Sequence, residues 1–196
     1  MKKKKLLLSI ACLSLFLSGC SAPPQTTTDG KEWQESWTAI GGNIGIDAPD
    51  QLTLLDVKEE LAADGLYYAT WVDGNSVPYE NSDGDTVDLY DAQLYFLASE
   101  TTSEKNAQEN CSTWLAAAKE TYDVLSETSI TCNGQPYTLI TYNCVGEDTP
   151  YDRGVSAFGA CGVNAVCIEL TCLENYKEDL SSLLTRFLDG CHFSAD

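Results

Sequence analysis

The middle of the chain, residues 91–99, restricts the fold more than any other stretch. Apolar side chains occupy both alternating sets of positions there: Ala92, Leu94 and Phe96 in one set, Tyr95 and Leu97 in the other. Successive side chains of a strand point to opposite faces of a sheet, so this strand is apolar on both faces. Such a strand is stable where other elements cover the sheet on each side. The fold therefore needs a sheet enclosed between two layers.

Further stretches favour strands because they are rich in β-branched and aromatic residues and are bounded by turn residues. They lie at residues 44–46, 52–57, 66–72, 130–132, 137–145, 155–161, 165–172 and 191–193. Between two of them, Asn133-Gly134 suits the two positive φ angles of a type I′ turn, which predicts a tight hairpin. Short turns join many of these strands, so we expect a mostly antiparallel sheet.

Two segments have the spacing of amphipathic helices. The first follows Thr101, which forms a capping-box pattern with Glu104, and its apolar stripe extends over residues 107–125. The second extends over residues 176–187, and Gly190 is placed to end it. Both helices have one apolar side, which indicates that each packs against the sheet.

Strands, a helix, antiparallel strands, a second helix and a last strand together predict one α+β domain over residues 43–196. A mostly antiparallel β-sheet would carry an amphipathic helix on each face. The run from Ile168 to Cys172, the acid-rich helix after it and the closing run from Phe187 to Phe193 resemble the PsbP/Mog1-like α/β/α sandwich. Members of that family act mainly as assembly or docking factors. The resemblance therefore implies a binding role, and it transfers no catalytic residue.

The first twenty residues have the pattern of an export signal. Lys2–Lys5 precede an apolar run over residues 6–17, shorter than the roughly 20 residues of a membrane-spanning helix. The run ends in Leu17-Ser18-Gly19-Cys20, which resembles the lipobox of bacterial lipoproteins. The resemblance implies a signal peptide over residues 1–19 and acyl chains, such as palmitate, on Cys20. The mature chain would be anchored at the extracytoplasmic face of the cell membrane, with residues 20–42 as a flexible linker.

The chain is strongly acidic. It has 11 Lys and Arg against 30 Asp and Glu, and losing four leader lysines would change its formal net charge from −19 to −23. Nucleic acids and anionic lipid headgroups are repelled by such a surface, so we expect no nucleic-acid partner. The expected partners are the membrane, through the lipid anchor, and a protein or small molecule that the sequence does not identify.

Seven cysteines remain once Cys12, in the leader, and Cys20 are set aside. They lie at positions 111, 132, 144, 161, 167, 172 and 191. Exported proteins often form disulfides, but in a reducing habitat such residues are small buried apolar side chains. Cys161 lies across a short predicted turn from Cys167, and a helical crossover would bring Cys191 towards Cys167 as well. The candidate disulfides are therefore Cys161–Cys167 and Cys167–Cys191, and a fully reduced set is the alternative.

One acidic segment contains the beginning of a calcium-binding loop. Oxygen ligands of the kind that calcium prefers are offered by Asn81, Asp83, Asp85 and Asp88. The pattern then departs from an EF-hand, because Thr86 replaces the glycine of the turn and Ala92 replaces the bidentate glutamate. The segment predicts a weak calcium site or a plain acidic hairpin loop. No other cofactor is expected.

Catalytic patterns are weak in this chain. Gly154-Val-Ser156 lacks the second glycine of a nucleophile elbow, because Phe158 stands there. His192 is the one histidine, and the cysteines lack zinc-ligand spacing. We therefore predict a non-catalytic binding or accessory module of the cell envelope. The alternatives are a weak calcium-binding envelope protein and a small hydrolase or redox protein that uses a cysteine with His192.

Overall fold

The computed structural model describes residues 38–41, 44–81, 83–145 and 149–193. Its strands are β1 (Thr38–Gly41), β2 (Ile44–Ile46), β3 (Thr53–Val57), β4 (Leu66–Glu80), β5 (Thr86–Glu100), β6 (Asp123–Cys132), β7 (Gln135–Asn143), β8 (Arg153–Cys161), β9 (Asn164–Cys172) and β10 (Cys191–Phe193). The helices are α1 (Glu104–Thr121) and α2 (Leu180–Asp189), with a 3₁₀ helix at Glu59–Asp64. The predicted leader, Cys20 and most of the linker lie outside the described residues.

Seven strands form one large antiparallel sheet in the order β3-β4-β5-β9-β8-β7-β6. β5 lies within it and contains the segment that is apolar on both faces. Leu94 and Phe96 of that segment are fully buried. The predicted antiparallel sheet is therefore confirmed. A separate sheet of three strands has the order β1-β2-β10.

The first helix begins later and ends earlier than the sequence pattern indicated. Ser103 is its N-cap, because its Oγ accepts a hydrogen bond from the Asn106 N–H at 3.2 Å. The predicted cap, Thr101, instead donates through its hydroxyl to the Val163 carbonyl. Leu125 belongs to β6 and is exposed. α1 packs through one stripe, which consists of Ala107, Cys111, Trp114 and Ala118.

The second helix is short and strongly amphipathic. Asp179 caps it by accepting the Ser182 N–H at 2.7 Å, so Tyr176 lies before the helix and the predicted start was wrong. Gly190 ends it, as predicted, and its carbonyl accepts the Asp47 N–H of the small-sheet segment at 2.8 Å. A Cβ at Gly190 would lie 1.9 Å from the Asp47 carbonyl oxygen, so only glycine fits. No helix among the described residues is both long enough and apolar enough to cross a bilayer.

The predicted α/β/α sandwich, with one sheet between two helices, is wrong. The described residues are 55% strand and 23% helix, and the strands form two sheets. The small sheet covers the large sheet jointly with α2, because Ile44 and Ile46 share a buried cluster with Leu183 and Leu184. Its strands have three or four residues, and β10 pairs with β2 from the far end of the chain. Local patterns in the sequence do not reveal pairing over that separation.

The predicted Asn133-Gly134 hairpin is confirmed. Cys132 pairs with Gln135, and the two turn residues have φ angles of 48° and 74°. The Asn133 side-chain amide also donates to the Asp189 and Cys191 carbonyls, at 2.7 and 3.1 Å. This turn therefore fixes the end of the β6–β7 hairpin to the end of α2.

Candidate interaction surface

β4 and β5 extend beyond the rest of the large sheet as a two-stranded ribbon. We call this ribbon, residues 75–81 and 83–91, the arm. β3 pairs with β4 only from Ala69 to Val72, and the β9 register with β5 begins at Ala92. Within the described ranges, no third strand pairs with the arm along either edge. The arm therefore presents backbone hydrogen-bonding groups at both edges.

The base of the arm is held in one geometry. Gly74 has a φ of +82°, and a Cβ there would lie 2.3 Å from an Asp91 carboxylate oxygen. That same oxygen accepts the Asn75 N–H at 2.8 Å. The register shifts between Asp73 and Ser76, which marks a bulge, and the Tyr176 hydroxyl donates to the Asp73 carboxylate. These contacts fix the direction in which the arm leaves the sheet.

One face of the arm is apolar. Val77 lies opposite Leu89 and Tyr79 lies opposite Val87, so the side chains of all four residues share a face. Val77 exposes 51% of its surface and the other three are partly exposed. None of the four belongs to a buried core cluster. An exposed apolar face of this kind is typical of an interaction site.

The arm is also uniformly acidic. It carries five carboxylates, at Glu80, Asp83, Asp85, Asp88 and Asp91. The sequence has no lysine or arginine between Lys58 and Lys105 to balance them. Lys58 and Lys105 themselves are paired with Asp56 and Glu109. The electrostatic field around the apolar face is therefore negative and favours a cationic partner.

The residues of the predicted calcium loop lie in the arm. Asn81 Oδ1 accepts the backbone N–H groups of Asp83 and Asp85 at 3.0 and 2.8 Å, which makes it part of the turn. Asp83, Asp85 and Asp88 are exposed. Among the described residues, no group of three or more His, Cys, Asp or Glu side chains is arranged to hold a metal. The structure therefore assigns Asn81 a turn role, and the calcium site stays a prediction.

Six of the described cysteines are buried free thiols, at positions 111, 132, 161, 167, 172 and 191. Cys167 lies in the buried cluster beneath α1, together with Cys111, whereas Cys161 and Cys191 belong to the other cluster. The structure thus does not bring together the two pairs that we predicted as disulfides. Burial raises the pKa of the Cys161 thiol to about 11, and it raises the pKa of Cys167 and Cys191 well above the usual value. Thiols of this kind are weak nucleophiles at neutral pH.

The candidate nucleophile Ser156 and the candidate base His192 lie on different sheets. Ser156 is on β8 of the large sheet, is fully buried, and shares a hydrogen bond of 3.0 Å with the Tyr142 hydroxyl. His192 is on β10 of the small sheet. It follows Cys191, whose buried thiol donates to the Phe187 carbonyl at 3.3 Å. Neither Ser156 nor Cys191 is accessible as a nucleophile.

A partly buried glutamate on β9, Glu169, was missed by the sequence analysis. Glu169 lies opposite Ser156 on β8, and its carboxylate accepts the Tyr122 hydroxyl at 3.1 Å. Tyr122 stacks on Tyr142, with ring centroids 4.1 Å apart. Burial is the main cause that raises the pKa of Glu169 to about 7, and hydrogen bonds from its neighbours oppose it. The sequence does contain a signal for this site, because Glu169 is the single acidic residue within the otherwise apolar run of residues 165–170.

The sequence matches no protein-family model and no curated protein. One similar solved structure is the cyanobacterial PsbP protein of Synechocystis sp. PCC 6803, with 14% identity, a TM-score of 0.39, and coverage of 75% of this chain and 95% of that one. A Bacteroides thetaiotaomicron protein has 8% identity, a TM-score of 0.39, and coverage of 79% and 46%. A Pseudomonas aeruginosa protein of unknown function has 14% identity, a TM-score of 0.32, and coverage of 52% and 85%. A function for this chain therefore has to come from its own residues.

Proposed function

We propose that this chain is an exported lipoprotein anchored at the extracytoplasmic face of the cell membrane. Its domain would be a non-catalytic binding or accessory module that binds a protein partner through the arm. The observation that carries the proposal is the apolar face of Val77, Tyr79, Val87 and Leu89, exposed on a ribbon whose edges are unpaired within the described residues. Such a surface favours association because burying it removes apolar area from water. The leader and Cys20 support the location by their sequence pattern.

The negative charge supports a protein partner over the membrane surface itself. The arm carries five carboxylates, so anionic lipid headgroups would repel it. The lipid on Cys20 would therefore hold the domain at the membrane while the arm points to a partner with positive charge. The raised pKa values of the buried thiols support a role without cysteine catalysis. The proposal requires no cofactor.

Replacing Cys20 by serine tests the anchor. We expect the variant to lose its lipid and to be recovered with the soluble fraction, whereas the native chain stays with membranes, because two acyl chains give stable anchoring. Fractionation of cells and immunoblotting measure this, and Cys144→Ser is the matched control that keeps the anchor. Membrane recovery of the Cys20→Ser chain equal to that of the native chain would contradict the proposed anchoring.

A photo-crosslinking residue at Val77 tests the arm as the binding surface. We expect a discrete crosslinked species in intact cells, because Val77 exposes 51% of its surface on the apolar face. The same residue at Val163, a valine with 40% exposure in the β8–β9 turn, is the matched control. A Leu89→Ser change should abolish the species. Crosslinking that is equal at both positions, or that is unaffected by Leu89→Ser, would contradict a specific role for the arm.

A further inference from the structure

The hydrogen-bonding pattern of the arm determines which groups point outward. The Asn81 N–H donates to the Asp85 carbonyl at 2.9 Å, so this pair is hydrogen-bonded. Hydrogen-bonded and non-hydrogen-bonded pairs alternate along an antiparallel ladder. The Tyr79–Val87 and Val77–Leu89 pairs therefore bond to each other across the ribbon. The backbone N–H and C=O groups of β5 that point away from β4 are those of Thr86, Asp88 and Tyr90.

The two edges of the arm are not equivalent. Pro78 lies opposite Asp88, at a position whose N–H would point outward from β4. Proline has no N–H, so the β4 edge lacks a donor in its middle. The β5 edge has no proline and keeps its outward donors. The β5 edge is therefore the one on which a further strand can form a complete ladder.

A third strand would also stabilise the arm. A two-stranded ribbon is marginally stable in water, and three strands with an apolar face are more stable. A strand added beside β5 would extend the apolar face formed by Val87 and Leu89. Its side chains on the opposite face would lie next to Asp88. The added strand would therefore be apolar at alternate positions and basic at the positions between them.

We infer that the β5 edge of the arm takes up an extended, lysine- or arginine-bearing segment of the protein partner as a third β-strand. This inference rests on the proposed function, and it names the chemistry of the partner and the way it binds. Backbone hydrogen bonds would supply affinity, while the alternating pockets and charges would supply specificity. A second copy of this chain is a poor occupant, because its arm would bring five more carboxylates and no basic residue to the edge.

A designed peptide tests this inference on the full mature chain with Cys20→Ser. The probe is a fluorescent seven-residue peptide in which valine and lysine alternate, and the control peptide has glutamate in place of lysine. Fluorescence anisotropy should show binding of the lysine peptide that weakens as salt is raised, and no binding of the glutamate peptide. Equal binding of both peptides would overturn the charge requirement.

Two substitutions at one position separate the strand edge from the charge. Asp88→Asn removes one exposed charge and should weaken binding by about threefold. Asp88→Pro removes the same charge and the outward N–H, and it should weaken binding by about tenfold or more. The ribbon already accommodates proline at the opposite position, Pro78, so the variant is expected to fold. Circular dichroism and thermal melting check this for both variants.

Failure of strand addition can be distinguished from failure of the proposed binding function. Equal affinity of the Asp88→Pro and Asp88→Asn chains would overturn strand addition, and so would failure of the lysine peptide to bind the native arm. Sedimentation that shows a dimer lost in Asp88→Pro would also overturn the inference, in favour of a second copy. The Val77 crosslink in cells would still stand in each case, so failure here differs from failure of the proposed function.

Discussion

Replacing Phe187 by alanine is expected to lower the free energy of unfolding by about 4 kcal/mol. Phe187 is fully buried and meets Trp71 edge-on, with ring centroids 4.9 Å apart. This contact joins α2 to β4 within the larger core cluster. Alanine would leave a cavity that the rigid sheet cannot close. Urea denaturation measures the loss, and the melting temperature should fall by about 10 °C in a domain of this size.

Two control variants make the Phe187 measurement specific. Phe187→Leu keeps most of the apolar volume and should recover more than half of the lost stability. Val77→Ser changes the exposed face of the arm and should alter the free energy of unfolding by about 0.5 kcal/mol or less. A Phe187→Ala chain as stable as Val77→Ser would show that α2 does not pack on the sheet as described.

The central strand shows what the sequence could predict. Residues 91–99 are apolar in both alternating sets of positions, as expected for a strand covered on both faces, and the structure places them inside the large sheet. The Asn133-Gly134 turn and the glycine that ends α2 were equally predictable, because each depends on a few adjacent residues. Features that depend on local geometry could therefore be predicted from the sequence.

The arm shows what the sequence could not predict. Alternation at Val77 and Tyr79, and again at Val87 and Leu89, is visible in the chain, but the acidic residues between them indicated a loop. The exposure of the arm depends on where β3 and β9 stop pairing with β4 and β5. That is a property of distant segments. For the same reason, the sequence could not predict the small sheet or the separation of Cys167 from Cys161 and Cys191.

The partly buried carboxyl of Glu169 gives the domain a defined pH dependence. Its pKa rises from 4.5 to about 7 on folding, so the folded state holds this proton more tightly than the unfolded state does. The resulting stability is fully present below the unfolded pKa of 4.5 and is lost as pH rises through 7. Above that pH, the folded domain carries a poorly hydrated charge next to Tyr142. Hydrogen bonds from Tyr122, Tyr142 and Ser156 lessen the penalty.

Replacing Glu169 by glutamine is expected to raise the free energy of unfolding at pH 8 by about 2 kcal/mol and to leave it nearly unchanged at pH 4.5. Glutamine has the shape of the protonated acid and can accept the Tyr122 hydrogen bond, but it is never charged. Urea denaturation of both chains across this pH range measures the difference between their free energies of unfolding. The other acids titrate in the same way in both chains, so their contribution cancels in this difference. Glu120→Gln, an exposed change on α1, is the control for losing one charge from an acidic domain.

Tyr122→Phe provides the opposite test of the same site. This variant removes a hydrogen bond that favours the ionised carboxylate, so the pKa of Glu169 should rise further. The pH at which stability is lost should then move above 7. Parallel stability curves for the native chain and Glu169→Gln between pH 4.5 and 8 would contradict both expectations. They would mean that water reaches the carboxylate between α1 and β9 freely enough to restore ordinary titration.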